Sequence, residues 1–159
     1  WRLAMENVET PTALIFSRQA IKDLPEGVDY IGVEKGAYEV VKEEHPDVIL
    51  LASGSEVSTL VDTLPLLQEK NIKARVISCP SEGLFRRQSA DYQEKLLPAD
   101  VKVFALTAGL PATFEGLVGS NGYIYGLDHF GYSAPYQVLD DKLGFTPQQV
   151  ADKIIDFVK

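Results

Sequence analysis

Cysteine is nearly missing: Cys79 is the only one in 159 residues. A single thiol excludes an internal disulfide framework and a cysteine metal cluster, and it fits a reducing compartment. Histidine is almost as scarce. His45 and His129 stand far apart, and neither has metal-ligand spacing to the other or to Cys79. No apolar run approaches the roughly 20 residues of a membrane span, and no signal-peptide pattern is present. Positive charge is in deficit, with 15 Lys plus Arg against 23 Asp plus Glu and a net charge of −8. That balance argues against nucleic-acid and anionic-membrane partners, though one local basic site for a small anion remains open. The glycine-rich dinucleotide fingerprint and the P-loop lysine are both missing.

What is present is globular: 45% apolar and 24% charged residues, enough for one domain with a real core. The organising stretch is Val48–Val57, Val-Ile-Leu-Leu-Ala-Ser-Gly-Ser-Glu-Val. Its unbroken apolar run predicts a strand buried on both faces, as in a parallel sheet, and then a helix.

The chain opens on Trp1, Leu3, Ala4 and Val8, which read as the last turns of a helix and mark a piece of a longer polypeptide. Thr12–Phe16 is expected to be a short buried strand, and residues 20–35 a linker rich in turn signals. From Gly36 onward an edge strand near Tyr38–Glu43 should pair antiparallel with Val48–Ala52, because the turn between them is too short for a crossover. A helix over about Ser55–Lys70 carries Val57, Leu60, Val61, Leu64 and Leu67 on one stripe, with Pro65 expected to kink it and Asn71 to end it. Further strands are expected at Ala74–Ser78, Val101–Leu106 and Tyr123–Leu127. Helices are expected at Ser89–Leu97 and Thr113–Val118, from Pro135 to Leu143, and from Thr146 to the end. The fold class is therefore α/β: a three-layer α/β/α sandwich on a five-stranded mixed sheet, four strands parallel and one antiparallel edge strand.

Few residues carry candidate chemistry. Ser53-Gly54-Ser55-Glu56 could cradle a phosphate at a helix start, but Ser53 and Glu56 have capping-box spacing, which explains them as a helix cap. Arg18 ends the first expected strand, where α/β folds place ligands. Its guanidinium suits a phosphate, and equally a structural ion pair. Asp128-His129 also follows a strand, yet neighbours in extended chain point apart. Cys79 reads as core filler, and Arg86-Arg87 as a solvated face.

The order of the motifs adds to this. Ser17-Arg18-Gln19, Gly36-Ala37-Tyr38, Ala52-Ser53-Gly54-Ser55-Glu56-Val57 and Lys73-Ala74-Arg75-Val76-Ile77-Ser78 come first. Pro80-Ser81, Phe85, Gln88 and Tyr92 come next, then Gly126-Leu127-Asp128-His129-Phe130-Gly131, Ser133-Ala134-Pro135 and Phe145-Thr146. In this order and spacing the chain resembles the C-terminal part of the transketolase family across essentially its whole length. It departs from the family pattern at Thr107, Phe114, Cys79 and Pro65.

The resemblance implies that residues 1–35 are the tail of a preceding pyrimidine-binding domain with its linker, and 36–159 a transketolase C-terminal-type domain. It implies transfer of a two-carbon ketol unit from a ketose phosphate to an aldose phosphate. Thiamine diphosphate and a divalent cation (Mg or Ca) would be used by the full-length enzyme and not bound by this part. It implies a cytoplasmic homodimer in the pentose phosphate pathway, whose partners are the remaining domains, the second subunit and sugar phosphates, with no nucleic acid and no membrane. Arg18 is the one residue to which the resemblance assigns a role, grip on the substrate phosphate; no catalytic, cofactor-binding or metal-binding residue is assigned. The alternatives are the C-terminal domain of another thiamine-diphosphate enzyme, such as deoxyxylulose-phosphate synthase or a dehydrogenase beta subunit, and a stand-alone effector-binding or interaction domain.

Overall fold

A computed structural model describes residues 1–17 and 19–159. Five strands form one sheet: β1 (Tyr38–Val41), β2 (Val48–Ala52), β3 (Ala74–Ser78), β4 (Lys102–Leu106) and β5 (Tyr123–Tyr125), in the order β1-β3-β2-β4-β5. All neighbours run parallel except β1 and β3. The helices are α1 (Arg2–Glu6), α2 (Ser55–Gln68), α3 (Glu82–Arg86), α4 (Ala90–Leu96), α5 (Tyr136–Leu143) and α6 (Pro147–Val158). Short 3-10 turns occupy Tyr30–Lys35 and Pro111–Phe114.

Strand β2 explains the layering. All five of its residues are buried. Because side chains alternate along a strand, Val48, Leu50 and Ala52 enter one core with α2 and α6, while Ile49 and Leu51 enter another with Phe85 of α3 and Leu96 of α4. Strand β4 divides the same way, Phe104 and Leu106 against Val103 and Ala105. Each fully buried Ile or Leu here contributes about 2 kcal/mol of apolar burial. The two cores lie on opposite faces because the chain leaves β2 toward β3 and then returns across β2 to β4. Right-handed crossovers in opposite directions put their helices on opposite faces. The expected α/β/α sandwich with one antiparallel edge strand is the observed fold.

The partner of that edge strand differs from the expectation. β1 runs antiparallel to β2 in direction but pairs with β3, which enters between them. Two strand spacings, roughly 10 Å, lie within reach of the 42–47 connection, so a short link does not force neighbours to pair. Arg75 of β3 secures the arrangement. Its Nε and Nη2 donate to the Glu43 carbonyl at 3.1 and 2.8 Å, its Nη1 donates to the Lys95 carbonyl at 3.2 Å, and Glu39 lies 3.5 Å from Nε.

Thr12–Phe16 is not a strand; Ile15 is 92% and Phe16 69% exposed, and no described strand lies beside them to share a ladder. Gly36 does begin the sheet region, for a steric reason. Its φ is +87°, and a Cβ there would sit 2.4 Å from both the Phe85 nitrogen and the Ser81 oxygen. The chain enters β1 through a gap that only glycine fits.

The helix ends sort by their caps. Thr146 caps α6 as expected, its Oγ1 accepting from the Gln149 N–H and donating to the Gln149 side chain at 2.7 Å, with Pro147 in the first turn. The capping box at Ser53 is not formed. Gly54, at φ 62°, is the residue before α2, and no side chain caps it. The helix thus starts one residue later than the box requires. Pro135 precedes α5 instead of opening it. The turn near residue 113 is a 3-10 turn starting at Pro111, and α3 is a further short helix capped by Ser81. α2 runs through Pro65 as one helix, and Asn71, at φ 57°, turns the chain three residues past its end.

Thr146→Ala should therefore cost about 1 kcal/mol of stability, the usual value of a lost cap. Ser53→Ala should stay within about 0.5 kcal/mol, as expected away from such features. Urea midpoints of the two variants against the parent chain decide this; equal losses would contradict the assignment of the caps.

Candidate functional site

In an open α/β sheet, ligands favour the carboxyl ends of the strands where the chain order reverses. Here that place lies between β2 and β4, at Ser53-Gly54 and Thr107-Ala108-Gly109. On its β4 side the loop is tied to the segment that follows β5. Thr107 is buried, its Oγ1 accepts from the Gly109 N–H at 3.0 Å, and its own N–H donates to the Tyr125 carbonyl. The Gly109 carbonyl accepts from Leu127 N–H at 2.9 Å, and Gly126 packs so closely that a Cβ would lie 2.9 Å from that same oxygen.

The start of α2 is no better suited to an anion. Glu56 stands in its first turn, and burial holds its carboxyl above the ordinary carboxylate range. The Ser55 hydroxyl, donating at 3.0 Å, and the Glu56 backbone pull the other way, while Asp140 of α5 adds like-charge repulsion. Asp140 is itself raised by burial. A phosphate would meet two carboxyl groups here. Sequence separation hides the second of them: nothing marks Asp140 as a neighbour of Glu56 until α5 folds beside α2.

Of the other candidates, Cys79 is core and the Arg86 side chain is bonded to the backbone. Burial pushes the Cys79 thiol up to about 12, so it stays protonated at neutral pH and is no nucleophile. His129 Nδ1 meets the Phe130 carbonyl at 2.7 Å, and its ring lies 5.7 Å from Tyr132. Arg86 donates to the Glu115 carbonyl at 2.7 Å. Among the described residues no group of three His, Cys, Asp or Glu could hold a metal ion, and no helix is long and apolar enough to cross a membrane.

Arg18, the one expected ligand residue, lies outside the described residues. The residues on its carboxyl side are well placed. Gln19 lines a cavity of about 510 Å³ with Tyr132–Tyr136 and Leu139. Residues 19–22 line a second, of about 170 Å³, against the first half of α2 and against Tyr136 and Asp140 of α5. Lys22 forms an ion pair with Asp62 on α2. Sequence reasoning did not find these contacts, since residues 20–35 read only as linker.

A family model described as the transketolase-like TK C-terminal domain matches residues 36–146. The chain belongs to this family. Over 94% of its length it is 42% identical to a transketolase of Halalkalibacterium halodurans, of which it covers 23%. The structure of the Leishmania mexicana transketolase superposes with a TM-score of 0.90 at 34% identity, covering 99% of this chain and 23% of that one. A Pichia stipitis transketolase in complex with sedoheptulose-7-phosphate gives a TM-score of 0.75 at 32% identity, over 84% of this chain and 19% of that one. The chain thus spans about a quarter of the length of the curated relatives it matches. These relatives are transketolases, which supports that reading over the domain of another thiamine enzyme or a stand-alone effector domain.

Glu56 gives this transketolase-family domain a pH signature. A carboxyl raised in the folded state contributes stability that is complete below its unfolded value, 4.5, and is lost as pH rises through the folded one. Glu56→Gln, which resembles the protonated side chain, should melt close to the parent near pH 4 and above it at pH 7 to 8. Thermal unfolding across that range checks the sign; a variant less stable than the parent at pH 8 would refute the burial argument.

Proposed function

We propose that this chain is the C-terminal part of a transketolase, which moves a two-carbon ketol unit from a ketose phosphate to an aldose phosphate in the pentose phosphate pathway. The observation that carries this reading is similarity along nearly the whole chain to proteins named transketolase, at 38% to 42% identity. In this reading residues 1–35 are the tail of the pyrimidine-binding domain and its linker, and 36–159 the C-terminal domain. Support comes from the family match beginning at residue 36 and from the steric need for Gly36 there. Trp1, Ile15 and Phe16, 81%, 92% and 69% exposed, suit burial against the rest of such an enzyme.

The full enzyme would be a cytoplasmic homodimer using thiamine diphosphate and a divalent cation. The residues of this chain do not fit that cofactor. It has no Gly-Asp-Gly segment, its described residues hold no cluster suited to a cation, and Glu56 opposes a diphosphate at the start of α2. The cofactor therefore belongs to the other domains, and the contribution of this chain is binding. Arg18 is the residue for it: a planar guanidinium can donate two parallel hydrogen bonds to a sugar phosphate.

Arg18→Ala in the intact enzyme should raise KM for phosphorylated sugars at least tenfold, as loss of a charge-assisted pair would, and leave KM for unphosphorylated acceptors nearly unchanged. Equal effects on both would make Arg18 a structural residue. The 159 residues alone should show no ketol transfer in a coupled assay, and measurable turnover would overturn the division of labour.

A further inference from the structure

The stretch directly after Arg18 is docked on the domain beyond it, although it belongs to no strand or helix. Gln19 and Tyr136 line both neighbouring cavities, so the arm lies in the angle between α2 and α5. Lys22 reaches Asp62, six residues after Glu56 on α2, in an ion pair 40 residues apart in sequence. Two residues further on, Leu24 packs against the core that contains α2 and α6, and Val28 does the same. A free linker needs none of these contacts. They hold the chain on the carboxyl side of Arg18 at four successive points, Gln19, Lys22, Leu24 and Val28.

We infer that Lys22 and Asp62 are positioning residues for substrate phosphate binding: the C-terminal domain holds the arm that carries Arg18, so phosphate affinity depends on this docking. The inference rests on the proposed role of Arg18. Asp62 is 35% exposed and Lys22 72%, so their pairing is of the solvent-screened kind, and its loss changes an equilibrium by a factor of about 2 to 5. Such a change moves affinity without unfolding the domain.

The test uses the intact enzyme carrying Lys22→Asp, Asp62→Lys, or both, with Arg18→Ala alongside. Each single reversal should raise KM for a phosphorylated aldose about 2- to 5-fold. It should leave kcat, the melting temperature and KM for an unphosphorylated acceptor unchanged. The double reversal, which restores an opposite-charge pair, should return KM to that of the parent. Asp62→Asn provides a neutral variant with the same expected direction. If Arg18→Ala discriminates between the two acceptors and the reversals do not, the docking inference is wrong while the role of Arg18 stands. Failure of the double reversal to restore KM overturns it too. If Arg18→Ala does not discriminate, the underlying reading fails and takes this inference with it.

Discussion

The rest of the domain depends on β2 being buried on both faces and flanked on both edges. A strand in that position can carry no charge and must divide its side chains between two cores. Val48, Leu50 and Ala52 serve one and Ile49 and Leu51 the other. The elements around it are placed by how they cover those faces or pair with its edges. α2 and α6 close the first, α3, α4 and the turn at Pro111–Phe114 close the second, and β3 and β4 seal the edges.

The same geometry brings backbone groups and carboxyls to the place where such folds usually bind ligands. The loop after β4 is bonded to the segment after β5 through Thr107, Gly109 and Leu127, with Gly126 packed against the Gly109 carbonyl. Beside them, Glu56 and Asp140 make the start of α2 unfavourable for an anion. The function proposed for the domain thus lies at its margin, where residues 19–24 are held against α2 and α5. In that proposal the domain acts by placing another segment of the enzyme.

Sequence reasoning went astray at one local backbone conformation and at two places decided between distant residues. Thr12–Phe16 has the composition of a buried strand, but a strand needs a neighbour to bond, and the described chain offers none there. Ser53 and Glu56 have the spacing of a cap, yet the positive φ of Gly54 moves the helix start by one residue. The pairing of β1 with β3 turned on Arg75, whose three carbonyl and carboxylate partners come from Glu39, Glu43 and Lys95.

By itself the sequence determined the local periodicities: the ranges of β2 and β3, the cap at Thr146, the left-handed turn at Asn71, the α/β class and, through the order of short motifs, the family. These arise from interactions within a few residues, or from a pattern that alternation and helical spacing make visible. Only the tertiary structure decided which strand lies beside β1, that Asp140 joins Glu56 at the start of α2, and that the arm after Arg18 is docked. Each of those depends on charges or backbone groups brought together across tens of residues, and no local pattern encodes which of them will meet.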